Sequence, residues 1–248
     1  MSNKVIISIE GNIGAGKSTF INILKNKWDN CDIVDEPVEM WKDLIGSDGK
    51  NILQIFYEDM NRWAYSFNNI VMTTQMIKVK EGIENSSSKF IFLDRSIGTN
   101  KNVFEKMLHD DGIINDLEHQ MYNLQCEFYD NNVNINNDII YIYLRCDPEI
   151  SFERIKKRGR KEEESIDLEY LKKISKYHDD WLLNNANTIV INCNNEFETI
   201  LENQDLMISI IKSKIFSFIN KEQINEQINK ELLIKVLLKK YYLNQLKF

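Results

Sequence analysis

The sequence predicts an α/β fold in which a five-stranded parallel sheet is flanked by helices. Two observations predict this class. Short runs rich in β-branched and aromatic residues alternate with longer segments of helical periodicity, as in sheets whose strands are joined by helical crossovers. A glycine-rich loop also joins the first run to the first helical segment. The predicted strands are Val5–Ile9, Asp32–Asp35, Phe90–Leu93, Ile139–Leu144 and Thr188–Ile191.

Composition argues against several other classes of protein. Apolar residues make up 43% of the 248 residues, too many for a disordered chain, and no apolar run is long enough to span a membrane. The net charge of −7 argues against a protein that coats nucleic acid. The first residues lead directly into the first predicted strand, so we expect a cytoplasmic location. Cysteines and histidines lack metal-ligand spacing, and reduced thiols are expected at Cys31, Cys126, Cys146 and Cys193.

The loop after the first strand matches the pattern G-x-x-x-x-G-K-[ST]. Glycines let backbone N–H groups surround an anion, and the dipole of the following helix favours negative charge there. Lys17 is expected to reach the β- and γ-phosphates of a nucleotide, and Ser18 to contact Mg²⁺. The alternative is a glycine turn that matches by chance. The residues expected to bind phosphate are Gly11, Asn12, Ile13, Gly14, Ala15, Gly16, Lys17, Ser18 and Thr19.

Acidic residues follow the second and third predicted strands, at the sheet edge where ligands bind in this class of fold. Glu36 is a candidate base that accepts the proton of a substrate hydroxyl, and the alternative is a solvated acidic turn. Asp94 follows four apolar residues, as in the Walker-B pattern, and is a second candidate contact of Mg²⁺. Arg95 would complement phosphate charge, and the alternative is a purely structural Asp94–Arg95 pair.

Six cations lie within residues 154–161. In a nucleotide-binding protein, such a cluster is typical of a lid that closes over the phosphates, and Arg154, Arg158 and Arg160 are its candidate phosphate ligands. An RNA-binding patch and a solvated helix face are the alternatives.

Two long segments are predicted to be helical. Residues 52–80 show helical periodicity that bends or breaks near residues 59–62, and their aromatic residues are expected mostly in the core. From about Asp205 the chain is predicted to be amphipathic helix, with Ile224, Ile228 and Leu232 on one face. We therefore expect a single domain over residues 1–248, with a core over about 4–200 and a helical extension over about 205–248.

Two classes of nucleotide-binding protein fit less well. Residues 26–29 spell the guanine-reading pattern N-K-x-D of GTPases, but they follow the first helix instead of a late strand. A kinase that acts on nucleotide monophosphates needs cations around its anionic acceptor, whereas Asp35 and Glu36 would repel it. The residues therefore favour a kinase that acts on a neutral alcohol. A nucleotide-dependent switch or nucleic-acid-binding ATPase that uses residues 154–161 as a contact patch is the alternative from another class.

Several motifs occur together in one order along the chain: Gly11–Ser18, Glu36–Trp41, Trp63–Asn68, Asp94–Ser96 and Arg158–Glu163. This set resembles the deoxyribonucleoside kinase family, which contains deoxycytidine, deoxyguanosine and mitochondrial thymidine kinases. The resemblance runs from about residue 4 to about residue 200. It implies a P-loop kinase fold with an arginine-rich lid, ATP and Mg²⁺, phosphorylation of the 5′-hydroxyl of a deoxyribonucleoside, and a homodimer.

The resemblance also implies functions for individual residues. Glu36 is expected to activate the 5′-hydroxyl, with Arg95 beside it and Lys17 on the transferred phosphate. Tyr57 and Glu163 are expected to hold the 3′-hydroxyl of the sugar. The remaining expected contacts are Trp41 and Phe104 as walls of the base pocket, Asn68, Gln75 and Asn100 at the base edge, Arg154, Arg158 and Arg160 at the phosphates, and Phe197 at the adenine of ATP.

The chain departs from the family pattern at the base edge. Asn68 stands where the family usually has Gln, and this shorter amide leaves more room for a base. Gln75 and Asn100 are neutral amides where members that prefer deoxycytidine and deoxyguanosine tend to carry Arg and Asp. We therefore expect a preference for purine deoxynucleosides, and the alternative is a pyrimidine-preferring or broad-specificity kinase. Asp94 also replaces the Glu found in many members and keeps its charge.

Overall fold

The five predicted strands form one parallel sheet, which confirms the predicted fold class. The protein is described by a computed structural model that covers residues 4–132, 139–160, 163, 166–195 and 204–220. The strand order is β2-β3-β1-β4-β5, and every neighbouring pair is parallel. The strands are β1 (Val5–Glu10), β2 (Cys31–Val34), β3 (Phe90–Asp94), β4 (Ile140–Arg145) and β5 (Thr188–Asn192).

Helices connect the strands and flank the sheet. One segment between two of these helices, Asn100–Glu105, has π-helical hydrogen bonding, which is rare and is frequent at functional sites. The helices are α1 (Lys17–Lys27), α2 (Val38–Lys42), α3 (Ile52–Glu58), α4 (Met60–Asn85), α5 (Ile97–Thr99), α6 (Lys106–Asp110), α7 (Asp116–Asn132), α8 (Pro148–Arg158) and α9 (Leu168–Leu182).

The centre of the sheet forms the middle of the core. Ile7 and Ile9 of β1 and Phe92 of β3 are fully buried because helices cover these strands on both faces. β1 lies between β3 and β4, so the loop that follows it emerges at the middle of the sheet edge. Ligands of doubly wound sheets bind at this position, beyond the carboxyl ends of the strands.

The predicted break in the helical region over residues 52–80 is confirmed at Asp59. Its backbone, with φ of −145° and ψ of 78°, is not helical, and its side chain accepts a hydrogen bond from the backbone N–H of Arg62 at 3.1 Å. α3 begins with a capping box in which the side chains of Asn51 and Gln54 each accept a backbone N–H of the other. α3 and α4 therefore each begin at a capping side chain of their own.

The chain divides into two compact units, Met1–Gln204 and Asp205–Phe248. The first unit contains the sheet and all the helices named above. In the second unit, residues 205–220 are helical, as predicted, whereas Ile224, Ile228 and Leu232 lie outside the described residues. A single domain over residues 1–248 stays a prediction. Among the helices in the described part of the chain, none has both the length and the apolar character needed to cross a bilayer.

Candidate active site

One cavity of about 530 Å³ lies where the carboxyl ends of β1, β2 and β3 meet. A volume of this order suits a small organic ligand. Gly11, Asn12 and Ala15 belong to the loop after β1 but do not line the cavity. The predicted site residues that do line it are Ile13, Gly14, Gly16, Lys17, Ser18, Thr19, Glu36, Trp41, Tyr57, Asn68, Gln75, Asp94, Arg95, Asn100, Phe104, Arg154, Arg158, Arg160 and Glu163.

The glycine loop adopts a backbone that only glycine reaches without strain. Gly14 has φ of 79°, and a Cβ atom at this position would lie 2.5 Å from the carbonyl oxygen of Ser151 in α8. Gly16 has φ of 96° and directly precedes α1, so the first turn of that helix faces the cavity. The side-chain amide of Asn12 donates to the carbonyl oxygen of Leu171 in α9 at 2.8 Å. The loop is therefore fixed by α8 and α9 in an anion-binding shape.

Lys17 is the cation at the end of this loop. Its Nζ atom donates to the carbonyl oxygens of Gly11 and Asn12, each at 3.1 Å. Burial, and then the neighbouring Arg95, lower the pKa of Lys17 to about 7, although nearby carboxylates raise it. An incoming phosphate would bring the negative charge that the buried ammonium needs.

Asp94 ends β3 beside Lys17. Burial, with a smaller contribution from Glu36, raises the pKa of Asp94 to about 6, while Lys17 and Arg95 act in the opposite direction. Its Oδ1 atom is buried and has no hydrogen-bond partner among the described residues. A buried carboxylate oxygen of this kind requires a ligand or an ordered water. Together with the Ser18 hydroxyl on the same cavity, it provides oxygen ligands that suit Mg²⁺.

Glu36 and Arg95 form the ion pair at the floor of the cavity. Nη1 of Arg95 donates to the two carboxylate oxygens of Glu36 at 2.9 and 3.1 Å, and both side chains are largely buried. The backbone of Arg95 is left-handed, with φ of 65°, and its N–H donates to the carbonyl oxygen of Ile9 at 3.1 Å. A left-handed arginine costs free energy, which the surrounding bonds must supply. The arrangement aims the guanidinium at Glu36 and at the mouth of the phosphate loop.

Glu10, the last residue of β1, does not line the cavity but binds two residues that do, Ser96 and Thr99, and the sequence did not predict this. Its carboxylate is fully buried and accepts hydrogen bonds from the Ser8 hydroxyl at 2.6 Å, from the backbone N–H and hydroxyl of Ser96 at 3.1 and 2.8 Å, and from the Thr99 hydroxyl. These bonds join the strand before the phosphate loop to the segment after β3. The available signal was a charged residue at the end of a buried strand.

Tyr57 and Glu163 lie at the part of the cavity where the sugar is predicted. Burial raises the pKa of the Tyr57 phenol to about 12, so the hydroxyl remains a neutral donor and acceptor. Glu163 accepts from Nη2 of Arg158 with both carboxylate oxygens, each at 2.6 Å, and from Nε of Arg158 at 3.2 Å. Nη1 of Arg160 lies 3.7 Å from the same carboxylate. Glu163 therefore faces the cavity as a neutralised acceptor.

Aromatic side chains form the walls around the predicted base position. The indole N–H of Trp41 donates to the Thr74 hydroxyl at 2.9 Å, which fixes the ring of α2 against α4. Trp41 also contacts Phe67 edge to face, with ring centroids 5.8 Å apart. On another wall, the guanidinium carbon of Arg95 lies 5.4 Å from the ring centre of Phe104. The rings predicted for the pocket, Trp41 and Phe104, are thus both held in place by polar neighbours.

Three amides form the polar end of the cavity. The Asn68 amide nitrogen donates to the carbonyl oxygen of Ala64, one turn earlier in α4, at 2.8 Å. The Gln75 amide nitrogen donates to the carbonyl oxygen of Arg95 at 2.8 Å. The Asn100 amide nitrogen donates to the carbonyl oxygen of Asn68 at 3.2 Å and to the Tyr122 hydroxyl at 2.7 Å. The nitrogen of Asn100 thus uses both N–H groups within the protein and leaves its oxygen for a ligand, whereas Asn68 and Gln75 each keep the oxygen and one N–H group.

The predicted phosphate arginines occupy different surroundings. Arg154 lies inside α8, where its guanidinium donates to the Cys146 sulfur and to the carbonyl oxygen of Asn194, both at 3.4 Å. Arg158 ends α8 and Arg160 follows it, and both contact Glu163. A lid formed by these residues stays a prediction. Phe197, predicted near the adenine of ATP, lies outside the described residues.

Tyr170 of α9 lines the cavity and was not among the predicted site residues. It is partly buried and packs against the apolar cluster that contains Ile155 of α8, and burial raises its pKa well above the usual value. Its position in an ordinary amphipathic helix gave no signal that distinguished it from a core aromatic residue.

The geometry assembles a phosphate loop, a candidate base and an aromatic pocket, and sequence comparison shows which enzymes share this set. The chain matches the deoxynucleoside kinase family profile over residues 7–220. The chain belongs to this family. It is 38% identical over 179 residues to the probable deoxycytidine kinase of Fowlpox virus, a match that covers 72% of each protein.

Two further relatives of this deoxynucleoside kinase are deoxycytidine kinase 2 of Gallus gallus and the mitochondrial deoxyguanosine kinase of Xenopus laevis. The first is 31% identical over 239 residues, which cover 85% of this chain and 90% of the relative. The second is 27% identical over 221 residues, which cover 77% and 82% of the two chains. Family membership confirms the predicted resemblance. The protein is an enzyme, a phosphotransferase that binds a nucleotide and acts on deoxynucleosides. Family membership therefore favours the kinase over the alternative of a nucleotide-dependent switch.

Proposed function

We propose that this deoxynucleoside kinase transfers the γ-phosphoryl group of ATP to the 5′-hydroxyl of a deoxyribonucleoside. The observation that carries the proposal is the position of Glu36. It lines the same cavity as Lys17 and is held by Arg95 at 2.9 and 3.1 Å. A fixed carboxylate beside a phosphate loop suits the transfer of a phosphoryl group to a neutral alcohol.

The proton and the phosphate are handled by different residues. The Glu36 carboxylate accepts the proton of the 5′-hydroxyl as the new O–P bond forms. Lys17, Arg95 and the backbone N–H groups of the glycine loop position the triphosphate and stabilise the charge that develops on it. We assign Arg154, Arg158 and Arg160 to the same anionic end. Little else is required, since phosphoryl transfer depends mainly on alignment and charge stabilisation.

Mg²⁺ is the metal that we propose for this site. The unpartnered oxygen of Asp94 and the Ser18 hydroxyl would hold it directly or through its waters. When bound, the ion offsets negative charge on the donor phosphates. Lys17 and Arg95 offset the remainder from the protein side.

Sugar recognition falls to Tyr57 and Glu163. A neutral phenol and a carboxylate at this end of the cavity can both bond to a 3′-hydroxyl. A nucleoside without this hydroxyl loses both bonds and leaves the Tyr57 hydroxyl without its ligand, which discriminates against such analogues.

For the base, we propose a preference for purine deoxynucleosides. The Asn68 amide folds back on Ala64 of its own helix, which adds space where a longer Gln side chain would extend. The oxygens of Gln75 and Asn100 remain as acceptors for exocyclic amino groups, which adenine, guanine and cytosine carry and thymine lacks. We therefore expect deoxyadenosine and deoxyguanosine first, deoxycytidine next and thymidine last. The deoxycytidine kinases among the relatives favour deoxycytidine as the alternative.

A direct assay tests this proposal. Rates of ADP formation are measured with ATP and each of the four deoxynucleosides at matched concentrations. We expect ADP release to depend on added deoxynucleoside, with the purines fastest and thymidine slowest. Release that does not depend on any acceptor would contradict the kinase proposal, and a clear pyrimidine preference would contradict the base assignment alone.

We also propose that the enzyme works as a homodimer. α7 carries a stripe of exposed apolar side chains, with Leu117 and Leu124 each 66% exposed and Met121 44% exposed. Spacings of four and three residues place them on one helix face, and such a stripe suits a self-complementary interface. In gel filtration we expect a dimer that Leu124→Glu converts to a monomer. A monomeric wild-type protein would contradict the proposal.

A cytoplasmic location completes the proposal. The four cysteines all lie in the described residues and form no disulfide, and three of them are buried, which suits a reducing compartment. Cell fractionation with a soluble cytoplasmic marker tests it, and recovery with an organelle would contradict it.

A further inference from the structure

A chain of hydrogen bonds, here called the polar relay, runs from Asn100 through Tyr122 and Cys126 to Met72. It lies directly behind the base end of the cavity, in a part of the core that otherwise consists of apolar side chains. Tyr122 of α7 is fully buried and packs with Met72, Met76, Ile97 and Cys126. Its hydroxyl accepts a hydrogen bond from the Asn100 amide nitrogen at 2.7 Å. A tyrosine in an apolar cluster needs such a partner, but the partner here is a residue that lines the cavity.

The chemistry of the relay gives it one direction. The Cys126 thiol donates to the Met72 sulfur at 3.5 Å, and a thioether cannot donate in return. The Tyr122 hydroxyl is also in hydrogen-bond contact with Cys126. Since the thiol proton points to Met72, the Tyr122 proton points to the Cys126 sulfur, and the phenol oxygen is left to accept from Asn100.

A second acceptor supports the same orientation of Asn100. The backbone carbonyl oxygen of Asn68 lies 3.2 Å from the Asn100 amide nitrogen and cannot donate a hydrogen bond. Both N–H groups of the amide are therefore directed into the protein. The oxygen is the atom that Asn100 can offer to a base.

We propose that Tyr122 is a positioning residue that sets which bases this enzyme accepts, because it fixes the Asn100 amide with its oxygen available to the ligand. The inference rests on the proposed function and deepens it. An amide oxygen accepts from the exocyclic amino groups of adenine, guanine and cytosine and faces an oxygen of thymine instead. Without the phenol oxygen, one N–H of Asn100 loses its partner and the amide can turn to offer a donor.

A simple structural function of Tyr122 makes a different prediction. If Tyr122 only fills the core, loss of its hydroxyl weakens the binding of all nucleosides by a common factor. If it positions Asn100, the loss changes the ratio between amino-bearing nucleosides and thymidine. The ratio of dissociation constants is therefore the decisive quantity.

The experiment compares wild-type enzyme with Tyr122→Phe by calorimetric titration of deoxyadenosine, deoxyguanosine, deoxycytidine and thymidine in the absence of ATP. We expect the preference for the amino-bearing nucleosides over thymidine to narrow by about tenfold, the effect of one misplaced hydrogen bond in a site that is closed to water. The matched control is Tyr129→Phe, on the same helix and against the same apolar cluster, which should leave the ratio unchanged.

A second variant, Cys126→Ala, removes the acceptor of the Tyr122 proton without touching Asn100 and should narrow the ratio by a smaller factor, about threefold. It also carries the test if Tyr122→Phe fails to fold. A ratio that stays within twofold of wild type in the folded variants overturns the inference. Binding needs no phosphoryl transfer, so this failure is distinct from a failure of the proposed kinase reaction, which the ADP assay detects.

Discussion

The donor and acceptor parts of the active site are built in different ways. The donor part is one continuous segment, the glycine loop over residues 11–18, and the groups that we propose for phosphate binding are mostly backbone N–H groups at the start of α1. The acceptor part, which comprises Trp41, Tyr57, Asn68 and Asn100, gathers side chains from α2, α3, α4 and the π-helical segment. A backbone site tolerates many sequences with the right glycines. In a site built from side chains, a substitution at one lining residue can change which ligand is preferred.

Their electrostatics differ as well. In the donor part, Lys17 is buried with two backbone carbonyls as its hydrogen-bond partners, and its pKa falls to about 7. In the acceptor part, the Glu36 carboxylate that would receive the proton is already neutralised by Arg95 at 2.9 Å. The donor part therefore carries unfavourable free energy that a bound triphosphate relieves, whereas the acceptor part is already balanced. The two parts should respond in opposite ways when a charge is removed.

Lys17→Met should have the largest effect. Transfer is expected to fall by about 10³-fold in kcat/KM, because the transferred phosphate loses its cation. The ligand-free variant should nevertheless be more stable than wild type, by roughly 2 kcal/mol at pH 8, because wild type must release the proton of Lys17 to bury this side chain. Steady-state kinetics and urea unfolding at the same pH measure the two quantities.

The pH dependence gives this prediction a sign. The folded-state pKa of Lys17 is lowered from 10.5 to about 7, so burying this side chain carries no protonation cost above pH 10.5, and the cost grows as pH falls and is complete below about pH 7. Unfolding free energies measured from pH 9 to pH 7 should therefore decline more in wild type than in Lys17→Met. The control is Lys25→Met in the same helix, an exposed lysine paired with Asp35. Equal pH slopes in wild type and Lys17→Met would contradict the account.

Glu36→Gln tests the acceptor part. We expect kcat to fall by about 10³-fold because the amide cannot accept the hydroxyl proton, while the dissociation constant of ATP stays within about twofold. Stability should fall, since Arg95 remains buried without its carboxylate. Asp35→Asn is the matched control, since Asp35 is the adjacent and exposed carboxylate. Activity that persists within a few-fold would show that Glu36 is not the base.

The same contrast explains what could be predicted from the sequence. The strands were predictable because buried parallel strands read as local apolar runs, and the break at Asp59 was predictable because it interrupts a helical pattern. The phosphate loop was predictable because its glycines, Lys17 and Ser18 act within one segment. Glu36 and Arg95 could be placed because they follow strands whose ends share one edge of the sheet.

The rest depends on contacts that are distant in sequence. Glu10 accepts hydrogen bonds from Ser96 and Thr99, which follow a different strand of the sheet. The buried carboxylate of Glu10 could therefore not be recognised from its neighbours in sequence. The π-helical segment at Asn100 has an ordinary helical pattern, and its shifted hydrogen bonds depend on packing against other helices. The side-chain direction of Asn100 likewise depends on Tyr122 of another helix.

The variant with the smallest predicted effect, Asn51→Ala, tests whether the helices that support the acceptor part are independent of those that support the donor part. α3 carries Tyr57 and begins at the capping box of Asn51 and Gln54, where the Asn51 side chain accepts the Gln54 backbone N–H at 2.9 Å. Asn51→Ala should lower the unfolding free energy by about 1 kcal/mol, the usual cost of losing an N-cap. It should also raise KM for the deoxynucleoside a few-fold while KM for ATP is unchanged.

The selectivity of this effect follows from the architecture. The glycine loop packs closely against Ser151 of α8 and is bonded to Leu171 of α9, so fraying at the start of α3 does not reach it. Asn26→Ala, at an exposed position in α1, removes a comparable side chain from the other scaffold and should change neither KM. If Asn51→Ala raised both KM values together, the two parts would share one mechanical unit, and the separation between a backbone-built donor site and a side-chain-built acceptor site would fail.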